Sequence, residues 1–231
     1  MLIYFNGDSN TAGTELEYPE QQGFAAKLSS KFNAAFTNDA IAGASNDTIC
    51  RTTREYLNSF LRTPDLIVIG WSDSAREEWF YNGKYYPVNS LGVEVPSFAD
   101  ETLYQYWSSN QGADEVYRSQ LSKYWNSRIY QFHLELEHLG IPHLFFNAIE
   151  SLNYREAFIK RYYVDYGKES VLHFDWKNTF IRPYDVDFSM IQYLGEQGHN
   201  QITPGWFHYG ESAQDDWATL LYDYIQANLI V

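Results

Sequence analysis

The sequence lacks the features that mark several classes of protein. It contains one cysteine, Cys50, so no internal disulfide can form, which is typical of proteins from a reducing compartment. No run of apolar residues is long enough to cross a bilayer. No basic segment followed by a long apolar one precedes the first predicted strand, so we expect no secretory signal and a cytoplasmic location.

Basic residues are also scarce. The chain has 16 Lys and Arg against 30 Asp and Glu, which gives a net charge of −14, and no Lys/Arg cluster interrupts the acidic surface. Such a surface repels phosphate backbones and anionic lipid headgroups, so we expect neither nucleic acid nor a membrane as a partner. Nothing in the sequence indicates the oligomeric state.

Motifs for cofactors and metals are absent too. The chain has no glycine-rich phosphate loop followed by lysine and no Gly-x-Gly-x-x-Gly, so we expect no nucleotide. The spacing of five histidines is not that of metal ligands, and we expect no metal: His133, His138, His143, His173 and His199. A glycosidase with a pair of carboxylates stays open, because the acidic residues offer many pairs and none stands out.

Aromatic residues, by contrast, are abundant. They make up 18% of the chain, with 20 Tyr and 7 Trp. Packing in the core and in insertions is the simpler interpretation. The functional one is that Tyr and Trp stack on sugar rings, since each combines a flat apolar face with a polar group.

Short apolar runs alternate with amphipathic stretches along the chain, a pattern typical of βαβ units around a parallel sheet. Strands are predicted over 2–5, 35–41, 65–70, 143–149 and 171–174, and helices over 23–32, 47–61, 114–139 and 211–228. Two aromatic-rich insertions, 80–112 and 153–205, interrupt the alternation and are expected to cover the active edge. We therefore predict one domain over 1–231, a three-layer α/β/α sandwich with a flavodoxin-like, mostly parallel five-stranded sheet.

Polar segments follow the first three predicted strands, and another precedes the last helix. They contain Gly7-Asp8-Ser9, then Gly43, then Gly70-Trp71-Ser72-Asp73, and finally His208. In a right-handed parallel sheet the carboxyl ends of neighbouring strands lie side by side. We therefore expect these segments to meet at one edge.

The order of these segments resembles the SGNH, or GDSL-like, hydrolase family from residue 2 to about residue 225, apart from the insertions. Residues 38–43 are especially similar to the corresponding stretch of rhamnogalacturonan acetylesterases. The resemblance implies an ester hydrolase in which Ser9 is the nucleophile, His208 is the base, and the Gly43 N–H helps to hold the oxyanion. Asp8, Asn46 and Asp73 are candidate supporting residues.

Two positions depart from the family pattern. Ser72 replaces the family's oxyanion asparagine, although its hydroxyl retains a donor, and Gly205 replaces the aspartate that orients the histidine. Three acidic residues of the second insertion are candidates to replace that aspartate, as is a main-chain carbonyl: Asp185, Asp187 and Glu196.

The same residues also have simpler interpretations. Ser9 and Gly43 are compatible with ordinary turns, His208 with the start of a helix, and Ser72-Asp73 with the cap of a helix over 74–79. We expect a serine ester hydrolase that removes a short acyl group, such as O-acetyl, from a carbohydrate. The alternative is a catalytically weakened module of the same fold that binds carbohydrate or is structural, for example in a phage particle, which would place it in the host cytoplasm or the virion.

Overall fold

A parallel sheet with helices on both faces forms the centre of the protein. The computed structural model describes residues 1–59, 62–88, 115–153 and 172–229. The strands are β1 (Leu2–Asn6), β2 (Ala35–Asn38), β3 (Leu66–Trp71), β4 (Glu77–Tyr81), β5 (Lys84–Val88) and β6 (His143–Asn147). The helices are α1 (Ser9–Ala12), α2 (Pro19–Gln22), α3 (Phe24–Lys31), α4 (Asn46–Asn58), α5 (Glu115–His138), α6 (Met190–Glu196) and α7 (Glu211–Asn228).

The strands of the central sheet lie in the order β2-β1-β3-β6, and every neighbouring pair is parallel. Phe5 of β1 is opposite Asn38 of β2 on one side and Val68 of β3 on the other. The predicted α/β class with flavodoxin-like winding is confirmed. The carboxyl ends of β1, β2 and β3 therefore lie together, and so do the segments that follow them.

Two apolar clusters cover the two faces of the sheet. Alternate residues of a strand point to opposite faces, so Ile3 packs in the cluster with Trp217 of α7, whereas Tyr4 packs in the cluster with Ile49 of α4 and Phe132 of α5. The four predicted helices form close to their predicted bounds, and α7 spans 211–228 as predicted. Within the described ranges, no helix combines the length and the apolar composition that a membrane-spanning segment requires.

The fifth predicted strand does not form at 171–174. Residue 171 lies outside the described part, and 172–174 have no regular structure. Instead, the ring of Phe174 stacks on Tyr130 of α5 at 4.2 Å. The outer edge of β6 meets a later segment, in which Ile181 N donates to Phe145 O at 2.9 Å. Aromatic packing against α5 thus overrides the local strand propensity of this short run.

The predicted helix over 74–79 is also wrong, because β4 and β5 form an antiparallel hairpin there. Asn82 (φ 48°) and Gly83 (φ 79°) form its turn, and two left-handed residues in succession match the twist of a two-residue hairpin. The Asn-Gly pair between aromatic residues was the sequence signal for this hairpin. The rest of the first insertion, 89–112, and residues 154–171 of the second lie outside the described residues.

Close contact between β3, β6 and α1 leaves no room for a side chain at Gly70. A Cβ atom there would lie 2.6 Å from Thr11 Oγ1 and 2.7 Å from Cζ of Phe146, whose ring is fully buried. We predict that Gly70→Ala lowers the free energy of unfolding by about 1–3 kcal/mol through overpacking. Gly195→Ala is the control: its Cβ would meet only Tyr209 Oη, at 3.4 Å, and alanine favours helix α6. Urea denaturation measures both, and equal stabilities would contradict the prediction.

A buried pair of histidines joins α5 to β6. His133 Nδ1 lies 2.8 Å from His143 Nε2, and His143 Nδ1 lies 2.9 Å from the carbonyl oxygen of Ile141. The carbonyl can only accept, so His143 donates from Nδ1 and accepts at Nε2 from His133. Burial lowers the pKa of His143 to about 4 and also lowers the pKa of His133. Both rings are therefore neutral near pH 7.

Acidification should destabilise the protein through His143. The unfolded chain binds a proton near pH 6.5, whereas the folded chain resists it down to about pH 4, so stability is lost as the pH falls between these values. We expect this residue to account for about 3 kcal/mol of the loss in unfolding free energy between pH 7 and pH 4. In His143→Gln that part of the loss should vanish, whereas in His138→Gln, which changes an exposed histidine, it should remain. An identical pH dependence in His143→Gln and in the wild type would contradict the assignment.

Candidate active site

Hydrogen bonds join the segment after β1 to the segment after β2. Ile41 N donates to Gly7 O at 3.2 Å, and Asn38 Nδ2 donates to Thr11 O at 2.9 Å. Gly43 follows in the same segment with φ 77°, inside a turn closed by the bond from Ala44 N to Ile41 O at 3.0 Å. The structure therefore brings the first two predicted segments together at the carboxyl edge of the sheet.

Ser9 is the first residue of α1. The carboxylate of Asp8 caps this short helix by accepting from Asn10 N at 3.0 Å, which fixes the turn in which Ser9 stands. Ser9 is only 8% exposed, and its hydroxyl makes no hydrogen bond to any described residue. The hydroxyl is therefore free to donate to a base or to attack a bound group.

Asp8 also joins the end of β3 to the segment after β1. Its Oδ2 accepts from Ser72 Oγ at 3.3 Å and from Arg76 Nη1 at 3.2 Å. The carboxylate is fully buried, and the side chain of Arg76 is 12% exposed. A buried carboxylate is costly without a partner, so the guanidinium and the hydroxyl offset its desolvation. Arg76 was not among the predicted site residues, since the local sequence was compatible with a helix over 74–79.

Asn46 holds the main chain of Ser72 from both sides. Ser72 N donates to Asn46 Oδ1 at 2.9 Å, and Asn46 Nδ2 donates to Ser72 O at 3.2 Å. Asn46 is buried at the start of α4, whose cap is the neighbouring Ser45. Asp73 Oδ1 accepts from Ala75 N at 2.8 Å and so closes the turn that leads into the β4–β5 hairpin. Asn46 thus secures the end of β3, whereas Asp73 shapes the turn after it.

His208 is held by a residue that the sequence did not single out. Its Nδ1 lies 2.8 Å from Glu15 Oε2, and Glu15 Oε1 accepts from Thr203 Oγ1 at 2.6 Å. Ile202 N donates to His208 O at 2.8 Å and fixes the main chain. The hydrogen bond from Thr203, and then the contact with His208, lower the pKa of the Glu15 carboxyl. An ionised Glu15 favours the proton on Nδ1 of His208 and leaves Nε2 as the acceptor.

Glu15 also connects His208 to the helix that carries Ser9. Thr14 N donates to Ser9 O at 3.0 Å, so Glu15 directly follows a residue bonded to Ser9. No hydrogen bond joins the Ser9 hydroxyl to His208 among the described residues. In the sequence, Glu15 is the first acidic residue after Gly13, which ends α1. This position indicates a role for Glu15 only once the structure places His208 beside it.

The described residues of the second insertion do not supply a carboxylate to His208 Nδ1. Asp187 lies in an exposed turn where its main-chain N donates to Asp185 Oδ1 at 3.0 Å. Gly205, at the position of the family's aspartate, has φ 88° and donates its N–H to Gln201 Oε1 at 2.7 Å. The carboxylate in contact with His208 Nδ1 is instead that of Glu15, in the amino-terminal part of the chain.

Other groups in the described residues do not form a second centre of this kind. No three or more His, Cys, Asp or Glu side chains gather there as metal ligands do. Burial raises the pKa of the Cys50 thiol to about 12, so this cysteine is not a thiolate nucleophile near pH 7. A surface groove at α7, between Phe188 and Tyr224, contains none of the predicted site residues.

Solved structures share this fold at low sequence identity. The crystal structure of TesA matches with a TM-score of 0.53 at 14% identity, covering 99% of this chain and 100% of that one. A member of the lipolytic protein G-D-S-L family from Veillonella parvula DSM 2008 has a TM-score of 0.45 at 13% identity, covering 99% and 98%. The psychrotrophic esterase EstA from Pseudoalteromonas sp. has a TM-score of 0.47 at 12% identity, covering 99% and 96%. The architecture is the α/β fold of SGNH hydrolase structures.

Sequence comparison assigns the chain to a family without assigning an activity. No curated protein matches it. The model of a family of unknown function, DUF6071, matches residues 5–156, which include Ser9, Glu15, Ser72 and Arg76. Because this match covers more than half of the chain, the protein belongs to the DUF6071 family.

Proposed function

We propose that the protein is a serine ester hydrolase that works through an acyl-enzyme. The observation that carries the proposal is the contact of 2.8 Å between His208 Nδ1 and Glu15 Oε2, because Glu15 stands six residues after Ser9 on the same segment. A serine hydroxyl at its ordinary pKa is a poor nucleophile and needs a base beside it. An imidazole oriented by a carboxylate is the usual such base.

The proposed first step forms the acyl-enzyme. Ser9 Oγ attacks the ester carbonyl carbon while its proton passes to His208 Nε2, and the π electron pair of the carbonyl moves to oxygen. The tetrahedral intermediate collapses, the bond to the leaving alcohol breaks, and His208 returns the proton to that alcohol. Water then attacks the acyl-enzyme in the same way, with His208 taking its proton and returning it to Ser9 Oγ.

Glu15 would compensate for the second departure from the family pattern, the glycine at position 205. The carboxylate that Gly205 cannot supply would come from Glu15, which reaches the same imidazole nitrogen from the segment after α1. The loss of such a carboxylate costs about 10⁴-fold in kcat in a serine protease. If the Glu15 carboxylate orients His208, the enzyme avoids most of this loss in kcat.

The proposed oxyanion hole begins with the main-chain N–H groups of Ser9 and Gly43. Main-chain donors of this kind are fixed before the reaction and require no reorganisation as charge develops. The Ser72 hydroxyl was a third candidate, but in this structure it donates to Asp8 Oδ2. Any donor to the oxyanion beyond these two N–H groups therefore comes from a residue other than Ser72.

For the substrate we propose a short acyl ester of a carbohydrate. The β4–β5 hairpin follows Arg76 directly and carries an exposed aromatic pair, Phe80 and Tyr85, with ring centroids 4.8 Å apart. The two rings are tilted by 50°, and the exposed ring of Phe80 offers an apolar face on which a sugar ring could stack. This part of the proposal also depends on the similarity of residues 38–43 to rhamnogalacturonan acetylesterases.

One observation favours a second function, a carbohydrate-binding or structural module with weakened catalysis. The Ser9 hydroxyl makes no hydrogen bond to His208 among the described residues. Catalytic hydrogen bonds are often long without substrate, so this geometry does not exclude the esterase. Covalent labelling separates them.

We predict that a fluorophosphonate probe labels the folded protein at Ser9, because the probe requires an activated serine hydroxyl. Intact mass and peptide mapping measure the labelling. Ser9→Ala should lose both the label and acetate release from acetylated polysaccharide, whereas Ser59→Ala, at an exposed helix end, should keep both. A wild-type protein that stays unlabelled while a control serine hydrolase reacts would contradict the esterase and favour the binding module.

We predict that Glu15→Gln lowers kcat by about 10²-fold or more, because an amide neither fixes the Nδ1 proton nor stabilises the imidazolium. Glu15→Asp, which keeps a carboxylate, should retain more of the kcat than Glu15→Gln, a difference that a purely structural defect would not produce. Glu17→Gln is the matched control, since Glu17 is an exposed glutamate two residues away. Unchanged kcat in Glu15→Gln would show that Glu15 does not orient the base.

A further inference from the structure

Arg76 is a nearly buried cation next to the proposed nucleophile. Its Nη1 lies 3.2 Å from Oδ2 of Asp8, the residue before Ser9, and 3.1 Å from Ser72 Oγ. The side chain is 12% exposed, and the carboxylate of Asp8 is completely buried. In such surroundings a charge acts far more strongly than at a surface, because water screens it poorly.

The guanidinium of Arg76 is not fully used by its partners. Both of its side-chain contacts to described residues involve Nη1, so the hydrogens on Nε and Nη2 bond to no residue in the described ranges. Two other arginines differ: Arg51 places Nε and Nη2 on Glu78, and Arg54 places the same two nitrogens on Glu135. Those two are closed, bidentate salt bridges, whereas Arg76 keeps donors available.

Ser72 cannot stabilise an oxyanion while its present contacts persist. A hydroxyl has one proton, and that of Ser72 goes to Asp8 Oδ2 at 3.3 Å. Its oxygen accepts from Arg76 Nη1. Ser72 and Asp8 therefore position the guanidinium of Arg76. This guanidinium still has N–H groups that can donate to an oxyanion near Ser72.

The strand ends bring this cation towards the reacting group. Ile69 of β3 is in register with Asn6 of β1, and the next residues of the two strands nearly touch. A Cβ at Gly7 would lie 2.9 Å from Gly70 O, a distance too short for any side chain. Two residues beyond each of these glycines stand Ser9 and Ser72, the latter in contact with Arg76.

We propose that Arg76 is a catalytic residue of the proposed esterase, which donates from its free guanidinium nitrogens to the oxyanion of the tetrahedral intermediate. The inference rests on the proposed function and adds a charged donor to the main-chain N–H groups of Ser9 and Gly43. Before the attack, Asp8 balances the positive charge of Arg76 and holds the guanidinium in place. When the carbonyl oxygen becomes negative, a fixed cation stabilises it without the cost of moving solvent.

The test separates this role from that of a mere counter-ion for Asp8. Arg76→Gln keeps an amide donor without the charge, and the double variant Asp8→Asn/Arg76→Met removes both charges, so that no carboxylate is left buried without a partner. Asparagine at position 8 can still cap α1. Arg62→Met is the control, since Arg62 is exposed and pairs with Asp65. The measurements are kcat and kcat/KM on p-nitrophenyl acetate, with folding checked by urea denaturation.

We expect both Arg76 variants to lose about 10²- to 10³-fold in kcat, as enzymes do when one oxyanion donor is removed. The Arg62→Met control should match the wild type. Recovery of wild-type kcat in either Arg76 variant would overturn the proposal, because neutralising Asp8 would then be the whole role of Arg76. A wild-type protein that is neither labelled at Ser9 nor active on the ester refutes the esterase itself, which is a different outcome from an active wild type with active Arg76 variants.

Discussion

The buried carboxylate of Asp8 is the contact on which the candidate site depends. One of its oxygens caps α1 and so fixes the turn of Ser9, and the other accepts from Ser72 and Arg76 beyond the end of β3. A carboxylate removed from water needs several donors, and the described donors to Asp8 belong to two different segments. The requirement to satisfy one charge therefore aligns two strand ends.

Asn46 extends this arrangement to a third segment. By holding both the N–H and the carbonyl oxygen of Ser72, it joins the start of α4 to the end of β3. The segment after β2, which contains Gly43, is bonded in turn to Gly7 and Thr11. Main-chain and buried side-chain hydrogen bonds of this kind set positions more firmly than surface contacts do, because each broken bond would leave a buried polar group unsatisfied.

The carboxyl-terminal part of the candidate site is assembled differently. His208 and Thr203 both contact Glu15, so one carboxylate links the segment before α7 to the segment after α1. Two pairs of titratable groups therefore lie at this edge of the sheet. Asp8 pairs with Arg76, and Glu15 pairs with the imidazole of His208. Acyl transfer requires a donor for the oxyanion and a proton acceptor for the nucleophile. In the proposed function these are Arg76, which is bonded to the residue before Ser9, and His208, which is bonded to Glu15.

Local patterns determined much of the fold. Apolar periodicity was enough to place α5 and α7, and continuous apolar runs were enough to place β1, β3 and β6, because burial on both faces of a parallel sheet requires such runs. The hairpin was missed although Asn82-Gly83 signalled it, since the acidic residues before it also suited a helix. The fifth strand was misplaced because Phe174 packs on Tyr130, a partner far away in the chain.

In the candidate site, too, some residues were predicted from local patterns and others were found only in the folded structure. Ser9, Ser72, Asn46 and His208 were predicted from short motifs, since strand ends and helix starts are local features of a sequence. Glu15 and Arg76 were not, because their partners, His208 at 193 positions and Asp8 at 68 positions along the chain, come near only after folding. The sequence by itself determined which chemical groups the protein has and on which elements they stand. Tertiary structure alone decided which charges meet, because an electrostatic contact depends on distance in space rather than on separation along the chain.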